Sequence, residues 1–141
     1  MTTCTRILAF DAAHRLVNHE GKCAHLHGHR YTVEVECSPS LPGGPLDSIG
    51  RVLDFSVIKD VLGKWIDDRL DHGILVNEDD DELRTLLVSL GETRVYCLPC
   101  NPTAENIAAE IMRVGQGMLS GVRLVRVRVW ETPNAFAEVR A

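Results

Sequence analysis

The sequence predicts an α+β domain, an antiparallel sheet in the order β-β-α-α-β-β with two helices packed on one face. Three observations carry this expectation. Apolar residues alternate with polar ones near both ends of the chain, as in half-buried strands. Between them, apolar residues recur at helical spacing in segments 54–70 and 101–119. A chain of 141 residues suits one core and hence one domain, residues 1–141.

The first strand is residues 5–14, where Leu8, Phe10, Ala12 and His14 share a face of an extended backbone. The second is "HRYTVEVEC", in which Tyr31, Val33, Val35 and Cys37 alternate with Arg30, Thr32, Glu34 and Glu36. A Pro/Gly loop, "SPSLPGGPLDSIG" (38–50), follows. Asp54 then fits a helix N-cap, ahead of Phe55, Ile58, Val61, Leu62, Trp65, Ile66 and Leu70. The acidic run "NEDDDE" (77–82) reads as a solvated loop or helix start, with a short amphipathic piece, "ELRTLLVSL", after it.

"NPTAENIAAEIMRVGQGML" is the second long helix, with Pro102 in its first turn. "VRLVRVRVWE" alternates again and places Val125, Val127, Val129 and Glu131 on one face. "TPN" turns the chain, and "AFAEVRA" closes it as a last strand. Such a sheet has two open edges, and joining copies edge to edge is one way to cover them.

Composition narrows the function classes. The hydrophobic and charged fractions, 45% and 25%, are those of a soluble globular protein. A net charge of -5 argues against nucleic acid as a partner, since phosphate contacts need a basic surface. No apolar run approaches a membrane span, and no basic stretch leads into an apolar one at the N-terminus, so the cytoplasm is expected. Five cysteines without framework-like spacing should be thiols or ligands rather than disulfides. Cys97 and Cys100 form a C-x-x-C, but no second such pair exists to complete a structural zinc site. Prolines flank Cys100 in what reads as a loop, and partial burial is the preferred role for this pair.

The stretch "CAHLHGH" (23–29) concentrates the chemistry. His27 and His29 are two apart, so an extended backbone points both imidazoles to the face of Tyr31 and Val33. His14 ends the first strand on the face of Leu8 and Phe10. If the two strands pair, three imidazoles converge and leave a fourth position open, the arrangement of a catalytic rather than a structural zinc. Gly28 between them allows a bulge or the close approach of another backbone. H-x-H alone is a weak signal, and a lone strand-end histidine is usually just a satisfied polar side chain. Three on one inward face are harder to dismiss. Cys23 fits either the fourth ligand of a closed clip or a thiolate base beside an open site.

Two further features stand out. Asp71 precedes His72 in "LDHGIL", a pairing that suits a proton shuttle and equally suits a histidine at a helix C-terminus. Glu131 lies on a valine-dominated face, where a carboxylate needs donors from a partner or a ligand.

Together, "FDAAHRL", "CAHLHGHRYTVEV", "GRVLDFSVIK", "LDHGIL", "NPTAENIA" and "VRVWET" resemble the 6-pyruvoyltetrahydropterin synthase family, in the family's order. The four-residue step from Cys23 to His27 resembles its 6-carboxytetrahydropterin synthase branch, of the queuosine (deazapurine) pathway. A folate-linked branch carries glutamate in place of Cys23. The longer segment 78–100 departs from the family pattern. The resemblance implies a T-fold whose copies join into a barrel, a trimer-based homo-oligomer such as a hexamer, with sites at subunit interfaces. It implies Zn2+ held by His14, His27 and His29, Cys23 as the catalytic thiol, and Asp71 and His72 as a proton relay contributed across the interface. Glu131 would anchor a pterin, and Thr103 and Glu105 would lie near its pocket. Capping and dipole complementarity are the plainer roles of those last two.

The activity implied is conversion of 7,8-dihydroneopterin triphosphate to carboxytetrahydropterin, acetaldehyde and triphosphate. Three alternatives stand beside it: the pyruvoyl synthase reaction without side-chain cleavage, a zinc hydrolase that does not act on pterins, and a non-enzymatic zinc-stabilised module.

Overall fold

A computed structural model describes residues 1–141. Strand β1 (Cys4–His14) and strand β2 (His27–Pro39) are antiparallel, with His14 opposite His27 and Cys4 opposite Cys37. A helical stretch follows as α1 (Phe55–Ile58), a π-helical turn (Lys59–Gly63) and α2 (Lys64–Arg69). Asp54 caps it, its carboxylate accepting from the Ser56 N–H. Then come β3 (Gly73–Asn77), α3 (Asp81–Ser89), β4 (Val95–Leu98), α4 (Ala104–Met118), β5 (Val122–Thr132) and β6 (Ala135–Arg140).

The sheet order is β4-β3-β1-β2-β5-β6. The four expected strands form its antiparallel part, and two short parallel strands extend it beyond β1, so the sheet is mixed. Strand β3 is five residues long and largely buried, and a short apolar run of that kind reads equally as a helix end. A parallel neighbour needs a crossover, and α3 supplies it between β3 and β4. "CLPC" is accordingly part strand and part loop: Cys97 lies exposed in β4, and Cys100 lies just beyond it. Both are free thiols.

The core lies between the sheet and the helices. Helix α4 buries Ala104, Ile107, Ala108, Ile111 and Gly115, one stripe at helical spacing. Gly115 allows the closest approach, since a Cβ there would meet Leu124 Cδ2 at 2.8 Å and Leu62 Cδ2 at 3.0 Å. Below the helices, Phe10 stacks on Tyr31 with ring centroids 4.9 Å apart, and Val33, Val35, Val127 and Val129 are fully buried.

One sequence expectation is corrected here. Val125 does not share the inward face with Val127. Glu36 pairs with Arg126 but Cys37 with Leu124, so Val125 is the extra residue of a β-bulge and Leu124 turns into the core in its place.

The opposite face of β2, β5 and β6 is charged. Arg126 reaches Glu36 at 2.6 Å and Glu34 at 3.2 Å, and Arg128 reaches Glu138 at 2.8 Å. Unpaired edge remains on both sides of the sheet. Strand β1 pairs with β3 only over Ala12–His14 and bonds the 71–72 turn through Asp11, so its edge is unpaired before Asp11, and β6 ends the sheet on the other side.

Candidate active site

The β1–β2 pairing builds the site. Because His14 faces His27 and side chains alternate along both strands, the three imidazoles meet on the helix-covered side. Gly28 lets the strands close up, since a Cβ there would stand 3.2 Å from the Ala12 carbonyl oxygen.

The ring orientations are fixed from behind. His14 Nδ1 lies 2.7 Å from the Pro102 carbonyl oxygen, and His27 Nδ1 lies 2.6 Å from that of His25. A carbonyl oxygen only accepts, so both Nδ1 atoms carry the proton and both neutral rings present a bare Nε2. Those two Nε2 atoms are 3.1 Å apart. Two lone pairs at that separation repel unless a cation or a proton lies between them. His29 adds a third nitrogen, a buried Nε2 with no hydrogen-bond partner. Burial lowers the pKa of His14 and of His29, against the raising effect of Glu131 on both, which favours the neutral, ligating form.

Ligand atoms of His14, His27 and His29 all lie within 4.8 Å of one another. Two bare nitrogens and a third that is buried without a partner fit a transition-metal ion.

Around this cluster stand the other candidates. Glu131 Oε1 is 3.6 Å from His29 Nε2, so the carboxylate on the valine face looks onto the cluster and keeps no hydrogen bond to it. Tyr31, buried beneath, has its phenol pKa raised by burial first and then by the charges of Glu131 and Cys23, which places both groups within electrostatic reach of it. Cys23 sits in a 3-10 turn (Lys22–Ala24), and its Sγ is not part of the tight three-nitrogen group. Thr103 caps α4 by accepting from the Asn106 N–H, and Glu105 lies exposed in the first turn. Neither is hydrogen-bonded to the imidazoles.

Asp71 and His72 lie elsewhere. His72 Nδ1 is 2.7 Å from Asp71 Oδ2, and Asp71 Oδ1 accepts from the Asp11 N–H at 2.8 Å. Burial alone would raise the Asp71 pKa, but that N–H and His72 bring it below the ordinary aspartate range. His72 holds a left-handed backbone (φ 55°), unusual for a residue with a side chain, and is largely exposed. Side chains of Asp11, Asp71 and His72 form a second group, and Asp11 alternates with Phe10 and Ala12 in β1. That parity sets the dyad on the sheet face away from the imidazoles. One chain therefore does not bring His72 to its own Cys23.

Sequence reasoning missed the two carbonyls that aim the histidines, and backbone oxygens leave no mark in a sequence. The structure pairs Arg15 with buried Asp80 at 2.7 and 2.5 Å, and Asp80 caps α3 as well.

Solved structures define the class. A protein from Wolinella succinogenes superposes with a TM-score of 0.81 at 24% identity, over 99% of this chain and 97% of its own. The 6-pyruvoyl tetrahydropterin synthase of Caenorhabditis elegans superposes with a TM-score of 0.67 at 26% identity, over 99% and 95%. The fold is the α+β T-fold, and the candidate site is the histidine cluster at its β1–β2 pairing.

Sequence comparison narrows this further. Residues 3–141 match the family 6-pyruvoyl tetrahydropterin synthase, and the chain belongs to that family of pterin enzymes. A Rickettsia felis relative named 6-carboxy-5,6,7,8-tetrahydropterin synthase is 38% identical over 99% of this chain and 100% of its own length. A Haemophilus influenzae protein of the same name is 36% identical over 98% of each.

Proposed function

We propose that this chain is a zinc-dependent 6-carboxy-5,6,7,8-tetrahydropterin synthase, taking 7,8-dihydroneopterin triphosphate and one water to the carboxytetrahydropterin with release of acetaldehyde and triphosphate. The observation that carries the site assignment is the pair of facing Nε2 atoms of His14 and His27, 3.1 Å apart, with the orphaned Nε2 of His29 beside them. The relatives' shared name supports the substrate.

His14, His27 and His29 would hold the zinc. When bound, it supplies a Lewis acid that polarises the side-chain hydroxyls of the substrate. Glu131 accepts two parallel hydrogen bonds from the pterin amino group and ring N–H, which fixes the ring against the cluster and satisfies the carboxylate. Thr103 and Glu105 border the pterin at the start of α4. The Cys23 thiolate takes a proton from the substrate side chain. His72 returns a proton, with Asp71 holding its Nδ1–H so that Nε2 faces the substrate.

The relay comes from a second copy. Within one chain the dyad and the imidazoles occupy opposite sheet faces, so a complete site needs a neighbour. The open edges of β1 and β6 suit joining of copies into a barrel, as a trimer-based homo-oligomer such as a hexamer. The compartment fitting this chemistry is the cytoplasm.

Product analysis after incubation of the zinc-loaded protein with 7,8-dihydroneopterin triphosphate tests this. Carboxytetrahydropterin and acetaldehyde are expected. A pyruvoyl product without acetaldehyde would move the chain to the other branch, and an unchanged pterin would defeat the assignment.

A further inference from the structure

Asn101 makes contacts that the proposed reaction does not use. Its side-chain amide faces the backbone of Val17: Oδ1 accepts from the Val17 N–H at 3.0 Å, and Nδ2 donates to the Val17 carbonyl at 2.9 Å. The amide thus acts as a strand neighbour for a single residue of the β1–β2 loop. Only one orientation satisfies both partners, because one can only donate and the other only accept.

Asn101 is itself held on three sides. Asn77 Nδ2, at the end of β3, donates to the same Oδ1 at 3.0 Å. The Asn101 backbone carbonyl accepts from the Thr103 N–H at 2.8 Å and from Asn106 Nδ2 at 2.9 Å, both at the start of α4. The next residue is Pro102, whose carbonyl orients His14. Asn101 therefore stands where β3, α4 and the imidazole cluster meet.

On the other side lies the segment that carries Cys23. Leu16, next to Val17, donates its N–H to the Cys23 carbonyl at 2.9 Å. The remaining hydrogen bonds of residues 16–24 are local, from His19 to Leu16, from Gly21 to the His19 ring, and from Ala24 to Gly21 and His25 to Lys22. The two bonds to Asn101 are thus the hydrogen bonds that tie this segment to the rest of the chain. Asn18 turns the loop with a left-handed backbone (φ 64°) right after the tie.

We infer that Asn101 is a positioning residue for Cys23: by clamping Val17 it fixes the thiol-bearing loop against the three-histidine cluster. This rests on the proposed role of Cys23 as base, and it extends that role to a residue that touches neither substrate nor metal. A base displaced by a fraction of an ångström loses rate without losing ligand affinity, since affinity rests with Glu131 on β5.

The test uses Asn101→Asp, nearly isosteric, which removes the donor to Val17 and sets an oxygen against its carbonyl. On the zinc-loaded full-length protein, kcat should fall about tenfold or more with KM changed less than about threefold, because geometry rather than binding is lost. Alkylation of Cys23 by iodoacetamide, followed by peptide mass spectrometry, should become faster, while that of exposed Cys97 stays unchanged. Asn77→Ala, which removes one bond to Oδ1 together with the exposed acceptor of the Asp79 N–H, should show the same two changes in smaller degree and serves if Asn101→Asp does not fold. Wild-type kcat and wild-type Cys23 alkylation in whichever variants fold, even with a lowered melting temperature, would overturn the positioning role. Failure of the wild-type protein to turn over the pterin would instead sink the functional reading, and the alkylation rates would still report on the clamp.

Discussion

His14 and His27 face each other across the β1–β2 pairing with their Nε2 atoms 3.1 Å apart, each ring braced from behind by a backbone carbonyl. In the absence of a cation this is an arrangement of mutual repulsion. It is held by the short Nδ1–H bonds to the Pro102 and His25 carbonyls, at 2.7 and 2.6 Å.

Zinc content follows from that geometry. The protein should hold about one zinc per chain, and the double substitution His27→Ala/His29→Ala should abolish it, since one imidazole is too few for a catalytic site. Metal analysis of the purified variant checks this, and undiminished zinc would place the metal elsewhere.

Glu131→Ala should weaken pterin binding with fold and zinc intact. Losing a charged hydrogen-bond pair costs roughly 1.5–3 kcal/mol, or about ten- to a hundredfold in affinity. A fluorescence titration with a pterin measures it, and wild-type affinity would move the anchor to another residue.

Cys23→Ala separates a closed clip from an open site. Three histidines still hold the metal, so zinc, fold and pterin binding should persist while turnover nearly vanishes. Zinc content, melting temperature and product should be measured on one preparation. Loss of zinc together with collapse of the fold would favour the clip, and full activity would end the catalytic role.

Arg15→Met should strip Asp80 of its partner. The Arg15 hydrogen bonds hold the Asp80 carboxyl below the ordinary value of 3.8, against the opposing effect of burial. A depressed carboxylate pKa adds stability above the unfolded value and loses it as pH falls through the folded one. Near neutral pH the substitution should cost about 3 kcal/mol, the scale for breaking a buried pair. Denaturant melts should show that difference shrinking as the solution is acidified below the unfolded aspartate pKa. A constant difference across that range would show that the ion pair is not its source.

Much of this site was legible from strand period alone. Parity put His14, His27 and His29 on one inward face, and pairing of β1 with β2 brought them together. Parity failed where a bulge interrupts it: Val125 lost its inward place to Leu124, and nothing in "RLVRV" marks the skip. The short strands β3 and β4 escaped because five and four residues are too few to display a period. Asn101 was visible only as the residue ahead of a helix-starting proline, since its partners are main-chain atoms of Val17, 84 positions away.

The separation of His72 from Cys23 by the thickness of a sheet also bears on inheritance. If each working site draws its thiol from one chain and its relay histidine from a neighbour, chains with Cys23→Ala and chains with His72→Ala are inactive alone but not together. Random mixing would rebuild about one quarter of the sites from the healthy halves of the two kinds. Two defective alleles in one cell would then complement each other, whereas an allele carrying both lesions would not be rescued at all by a copy that carries either one alone, because one of the two groups would be missing from every chain.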